Sequence, residues 1–165
     1  MSNVHWVRNC MILSTFAAGA TAALAEDASL LGKNVREANG RFTDVATAVA
    51  EGYGPIPCAS SATSGAMGIH YVNPVYLNDK LLDIAKPEAV MYEPQPDGSM
   101  QLIAVEYIAF EGPASLGGQL FSYNTAPNRY GLDAFYELHV WAWRANKSGS
   151  FADNNPDVTC DHARE

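Results

Sequence analysis

Two histidines and one glutamate carry the richest chemistry in this sequence, because each falls in a segment whose alternation would turn it toward a core. His70 lies in Met67–Asn73, where period-two spacing puts it on one face with Gly68 and Val72. His139 shares a face with Trp141 and Trp143, and Glu106 shares one with Leu102, Ala104 and Ile108. A carboxylate among apolar neighbours must find a partner or hold a proton. Drawn together from three strands, two imidazoles and a carboxylate form a recurring ligand set for zinc, iron or copper, with one coordination position left open. Met67, three residues before His70, offers a softer ligand suited to copper. In this reading His70 and His139 are neutral imidazole ligands, and Glu106 is a ligand or orients one. An open position would admit a small substrate and make the protein an enzyme of unspecified reaction.

The same residues support other readings. A histidine flanked by aromatics also serves as a hydrogen-bonded core residue, and Glu106 has Arg129, Arg144 and several tyrosine hydroxyls as candidate partners. Tyr71, Tyr107, Trp141 and Trp143 would line an apolar pocket for a small molecule, with the histidines and Glu106 as its hydrogen-bonding groups. A third reading is a structural or interaction protein of the cell envelope, in which His70 and His139 are ordinary core residues. No compact metal motif such as HExxH or HxH decides among them.

Several chemistries lack their signatures. There is no GxSxG nucleophile elbow. There is no CxxCH for covalent haem, and Gly65-Ala66-Met67-Gly68 leads into a strand pattern rather than a phosphate-binding helix. Asn146-Lys147-Ser148 matches the glycosylation sequon, a short and weak signal.

The elements that must position these residues follow from periodicity and turn signals. Leu31, Val35, Ala38, Phe42, Val45 and Val49 alternate steps of four and three, which predicts one amphipathic helix from Asp27 to about Glu51. Asp27 or Ser29 would cap it, Gly40 would sit inside it, and Gly52, Gly54, Pro55 and Pro57 would end it. Residues 59–65 read as a loop, and 78–84 as a short helical piece. Ala89–Glu93 and Met100–Phe110 flank Asp97-Gly98, a hairpin signal. Glu111–Arg129 is a long surface connection, and Glu137–Trp143 is the last strand. The order predicts an α+β fold: a curved or barrel-like antiparallel sheet with the N-terminal helix packed on it, and one disulfide.

Residues 1–25 read as a secretory signal peptide. Arg8 lies in a short polar start, Met11–Leu24 is small and apolar, and Ala23-Leu24-Ala25 offers a cleavage site. The apolar run is shorter than the roughly 20 residues of a membrane span and rich in Ala, Thr and Gly. Residues 26–165 then form one exported globular domain without a stable membrane anchor, periplasmic or extracellular. Losing Arg8 leaves 9 Lys+Arg against 18 Asp+Glu, a formal −9 compared with −8 for the whole chain. Such a chain repels phosphate backbones, which speaks against nucleic-acid partners. Cys10 departs with the leader, leaving Cys58 and Cys160 as a pair in an oxidising compartment. A disulfide is the expected product. A metal–thiolate pair is the alternative, although no CxxC supports it.

Gly65 through Pro74, Pro87 through Pro94 with Val105-Glu106-Tyr107, and Leu138-His139-Val140-Trp141 form three recognisable blocks. The last continues through Asn146, Gly149, Phe151, Ala152, Asn155-Pro156 and Cys160. Together they resemble a family of small, uncharacterised secreted bacterial proteins over nearly all of the mature chain. Gly149-Ser150-Phe151 departs from the Gly-Met-Phe of relatives. The resemblance implies a single secreted domain and brings no activity, but it places His70, Glu106 and His139 inside its blocks.

Overall fold

The computed structural model describes residues 30–164. The expected leader, its expected cleavage site and the predicted helix start at Asp27 lie outside them.

Helix α1 runs over residues 30–39 and does not continue to Glu51 as its periodicity predicts. Gly40–Thr43 tighten into a 3-10 turn, and Asp44 adopts an extended backbone. The Asp44 side chain accepts from the Ala46 N–H at 3.0 Å, capping a new helix, α2 (Val45–Ala50). The break resets the phase. Leu31, Val35 and Phe42 are buried as expected, but in α2 the buried residue is Ala48, and Val49 is exposed.

The strands follow in order: β1 (Gly54–Pro55), β2 (Ala59–Ser61) and β3 (Gly65–Val72), then helix α3 (Pro74–Asp79), then β4 (Ala89–Pro94) and β5 (Met100–Ala109). A small hairpin, β6 (Ser115–Leu116) with β7 (Gln119–Leu120), precedes β8 (Ser122–Asn124) and β9 (Phe135–Val140). The main sheet has the order β1-β3-β4-β5-β9-β8, with β2 also on β3, and every pairing is antiparallel. It ends on β1 and β8, so it is open rather than a closed barrel.

Two local expectations change. Residues 59–61 are a strand rather than a loop, because they pair back onto β3. The helical piece lies at Pro74–Asp79 instead of 78–84. Pro74 is tolerated in its first turn, where no N–H is needed. Asn73 accepts from the N–H groups of Val75 and Tyr76, and Lys80 ends the helix at φ +62°.

The sheet is covered on both faces, which is why all six residues of β4 are buried. On one face Tyr71, Val90, Val105 and Val140 form a register row that joins Leu31, Val35, Phe42 and Ala48 in the main core. Buried phenols tie this side together: Tyr92 donates to the Phe42 carbonyl at 2.7 Å, and Tyr53 to that of Pro87 at 2.8 Å. The other face carries a smaller apolar cluster that includes Met91, Ala104, Trp141 and Val158. The C-terminal segment closes it, bridging Asn155 to Ala66 and joining Cys160 to Cys58 in a disulfide with Cα atoms 5.9 Å apart.

Candidate functional site

Register decides what the second face presents. Val72, Ala89, Glu106 and His139 form one row across β3, β4, β5 and β9, and His70, Met91 and Ala104 form the next. Directly paired antiparallel residues point the same way, so His70, Glu106 and His139 share the face away from the helices. β3 and β5 lie two strand spacings apart, roughly 10 Å. The small side chain of Ala89 stands between Val72 and Glu106 in that row. Gly68 brings β3 close to β4 beside the site: its φ is +91°, and a Cβ there would lie 2.5 Å from the Tyr92 carbonyl oxygen.

The three predicted donors meet. Glu106 Oε2 is 3.3 Å from His70 Nε2 and 3.7 Å from His139 Nε2, and all three side chains are fully buried. The three ligand atoms lie within 4.8 Å of one another. A tetrahedral ion with bonds of about 2.0–2.2 Å separates its donors by roughly 3.3–3.6 Å; the His70–Glu106 distance falls in that range and the His139–Glu106 distance lies just beyond it. Glu137, His139 and Asp153 form a second cluster that shares His139.

Glu106 also has the partners that its burial demands. Arg129 Nη2 donates to Glu106 Oε1 at 2.6 Å and to Glu137 Oε2 at 2.8 Å, and lies 3.4 Å from His139 Nε2. The Tyr130 hydroxyl donates to Glu106 Oε2. Of the two arginines considered for Glu106, Arg144 goes elsewhere, to Glu93 at 3.8 Å and to the Asp157 carbonyl at 2.8 Å. His139 Nδ1 faces Asp153 Oδ1 at 3.5 Å, the outer edge of a hydrogen bond. That approach holds the Asp153 carboxyl below its ordinary range. It favours a proton on Nδ1 and a lone pair on Nε2, facing the other donors.

The electrostatics set each group's form. Burial, then Arg129 and His139, push the His70 pKa well below that of a free imidazole, so its ring is neutral. Neither His70 nitrogen makes a hydrogen bond of good geometry. Burial, then Glu106, raises Glu137 to about 7. Burial works against the charge on Arg129, but Glu106, Tyr130 and Glu137 outweigh it and keep the guanidinium charged.

The aromatic set is divided between the faces. Tyr71 and Tyr107 belong to the main core, Tyr71 packing edge-on to Tyr92 with ring centroids 5.1 Å apart. Trp141 joins the cluster on the histidine face, and Trp143 packs against the main core. Tyr71, Trp141 and Trp143 border three different recesses, of 770, 330 and 750 Å³. The four therefore do not converge on one pocket as the small-molecule reading requires. Trp143 leaves the face of His139 because β9 ends at Val140. Leu102 leaves the face of Glu106 because a register shift between Met91 and Tyr92 makes Ile103 an extra residue in β5. Met67 packs at the margin of the Trp141 cluster.

Sequence reading did not single out Tyr130, Glu137 or Asp153. Glu137 was within reach, two residues before His139 and so on its face. Tyr130 and Asp153 come from irregular segments, where no period indicates direction.

No known family model matches this chain, and no curated protein or solved structure is significantly similar to it.

Proposed function

We propose that this chain is an exported metal-binding protein that holds a transition-metal ion (zinc, copper or iron) with His70, Glu106 and His139. One observation carries the reading: three buried donor atoms from three strands lie within 4.8 Å of one another, and neither nitrogen of the His70 imidazole makes a hydrogen bond of good geometry. An unsatisfied buried polar group costs about 1–3 kcal/mol, and a metal bond would satisfy this one. The neutral state of His70 suits a ligand, and the Asp153 contact on the far nitrogen of His139 is the usual support for a metal-bound histidine. Export is supported by the Cys58–Cys160 disulfide, which persists in oxidising compartments. No helix among the described residues is long and apolar enough to cross a membrane.

A second reading rests on Arg129. Its guanidinium already compensates Glu106 and Glu137, so the cluster can serve as a structural polar network without an ion. Elemental mass spectrometry separates the two. After zinc loading and desalting, the metal reading expects one zinc per wild-type chain and none in a folded His70→Ala/His139→Ala variant. Equal and low zinc in both would leave only the structural network.

A further inference from the structure

Arg129 reaches the same groups that a metal would use. Its Nη2 touches Glu106 at 2.6 Å and Glu137 at 2.8 Å, and sits 3.4 Å from His139 Nε2. An ion bonded to His139 Nε2 and Glu106 would share those donors with a second positive charge. Arg129 is also an incompletely satisfied ion-pair partner, since its Nε is buried without a hydrogen-bond acceptor. Arginine–carboxylate pairs are frequently bidentate, whereas Arg129 meets both carboxylates through Nη2 alone.

Asn128 ties the segment carrying Arg129 to itself. Asn128 Oδ1 accepts from the N–H groups of Tyr130 and Leu132, and Asn128 Nδ2 donates to the Leu132 carbonyl at 2.8 Å. The polar ties from Arg129 and Tyr130 to the sheet are side-chain contacts, to Glu106, Glu137 and His139.

Building on the metal-binding reading above, we propose that Arg129 is the resident cation of this site. A divalent metal ion enters by displacing its guanidinium, and the 125–134 turn is released as the ion binds. Arg129 thereby sets the metal affinity: it keeps the carboxylates paired before loading and competes with the incoming ion.

The test is the zinc dissociation constant of the wild type, Arg129→Gln and Arg129→Lys, measured against a chromophoric chelator at fixed pH and ionic strength. A charge 4–6 Å from an ionising group changes its equilibrium by about 1–3 powers of ten, so Arg129→Gln is expected to bind zinc about tenfold tighter or more. Arg129→Lys, which keeps the charge, is expected to gain less. Adding His70→Ala to Arg129→Gln should abolish the gain, which locates it at this site. A folded Arg129→Gln protein with equal or weaker affinity overturns the proposal. Should that variant not fold, hydrogen exchange in the wild type decides: amides of 125–134 should exchange faster at zinc saturation, and unchanged exchange overturns the displacement. Failure of zinc to bind either folded protein overturns the metal reading itself, together with this proposal.

Discussion

Glu88 offers the sharpest test of the electrostatic reasoning, because it is a buried carboxyl outside the proposed ligand set. Its residue is 1% exposed, and its Oε2 accepts from the Ile108 N–H at 3.0 Å. Burial is the largest influence and raises its pKa from 4.5 to about 8, with the Ile108 hydrogen bond opposing the rise. A carboxyl with a raised pKa binds its proton more tightly in the folded state. Its stabilising effect is therefore complete below the unfolded value and is lost as pH rises from about 4.5 to about 8. At about 1.4 kcal/mol per pKa unit, the loss has an upper limit of about 5 kcal/mol. Glu88→Gln keeps an oxygen to accept from Ile108 and cannot ionise. The variant and wild type should have similar stability near pH 4. By about pH 9 the variant should be the more stable by several kcal/mol. Urea denaturation across this range measures the difference, and subtracting the two curves removes the contribution of Glu137, which titrates nearby. Parallel curves for the two proteins would refute the assignment of a neutral Glu88.

Three further outcomes test the fold. Gly68→Ala must place a Cβ 2.5 Å from the Tyr92 carbonyl at a φ of +91°, so thermal melting should show a loss of at least about 1–3 kcal/mol. Phe42→Ala empties a fully buried position in the main core and should cost about 3–5 kcal/mol in urea titrations. Reducing Cys58–Cys160, which are separated by 102 residues, should lower stability by about 4–5 kcal/mol on the chain-entropy model, measured by denaturation with and without reductant.

Much of the sheet was legible because alternation and turn chemistry act locally. Asp97-Gly98 joins β4 to β5 with Gly98 at φ +86°, and the buried strands carry the predicted apolar runs. The convergence of His70, Glu106 and His139 was also foreshadowed, since period two fixes the direction of each side chain. Errors arose where regular geometry breaks. The extra residue at Ile103 moved Leu102 to the other face, the end of β9 at Val140 released Trp143, and the Asp44 cap split the long helix. The cover of the site was not legible. Arg129 was one candidate partner among several, and the approach of Tyr130 and Asp153 depends on tertiary packing of irregular chain. The metal reading and the structural reading differ most over that cover, because it supplies the competing cation.

X-ray absorption at the zinc edge of the loaded, desalted protein tests the central claim most directly. The account predicts one tightly held zinc with nitrogen and oxygen donors at about 2.0–2.2 Å and the outer-shell scattering of two imidazoles. Loss of the zinc on desalting, or a spectrum with no imidazole scattering, would contradict a site built from His70, Glu106 and His139.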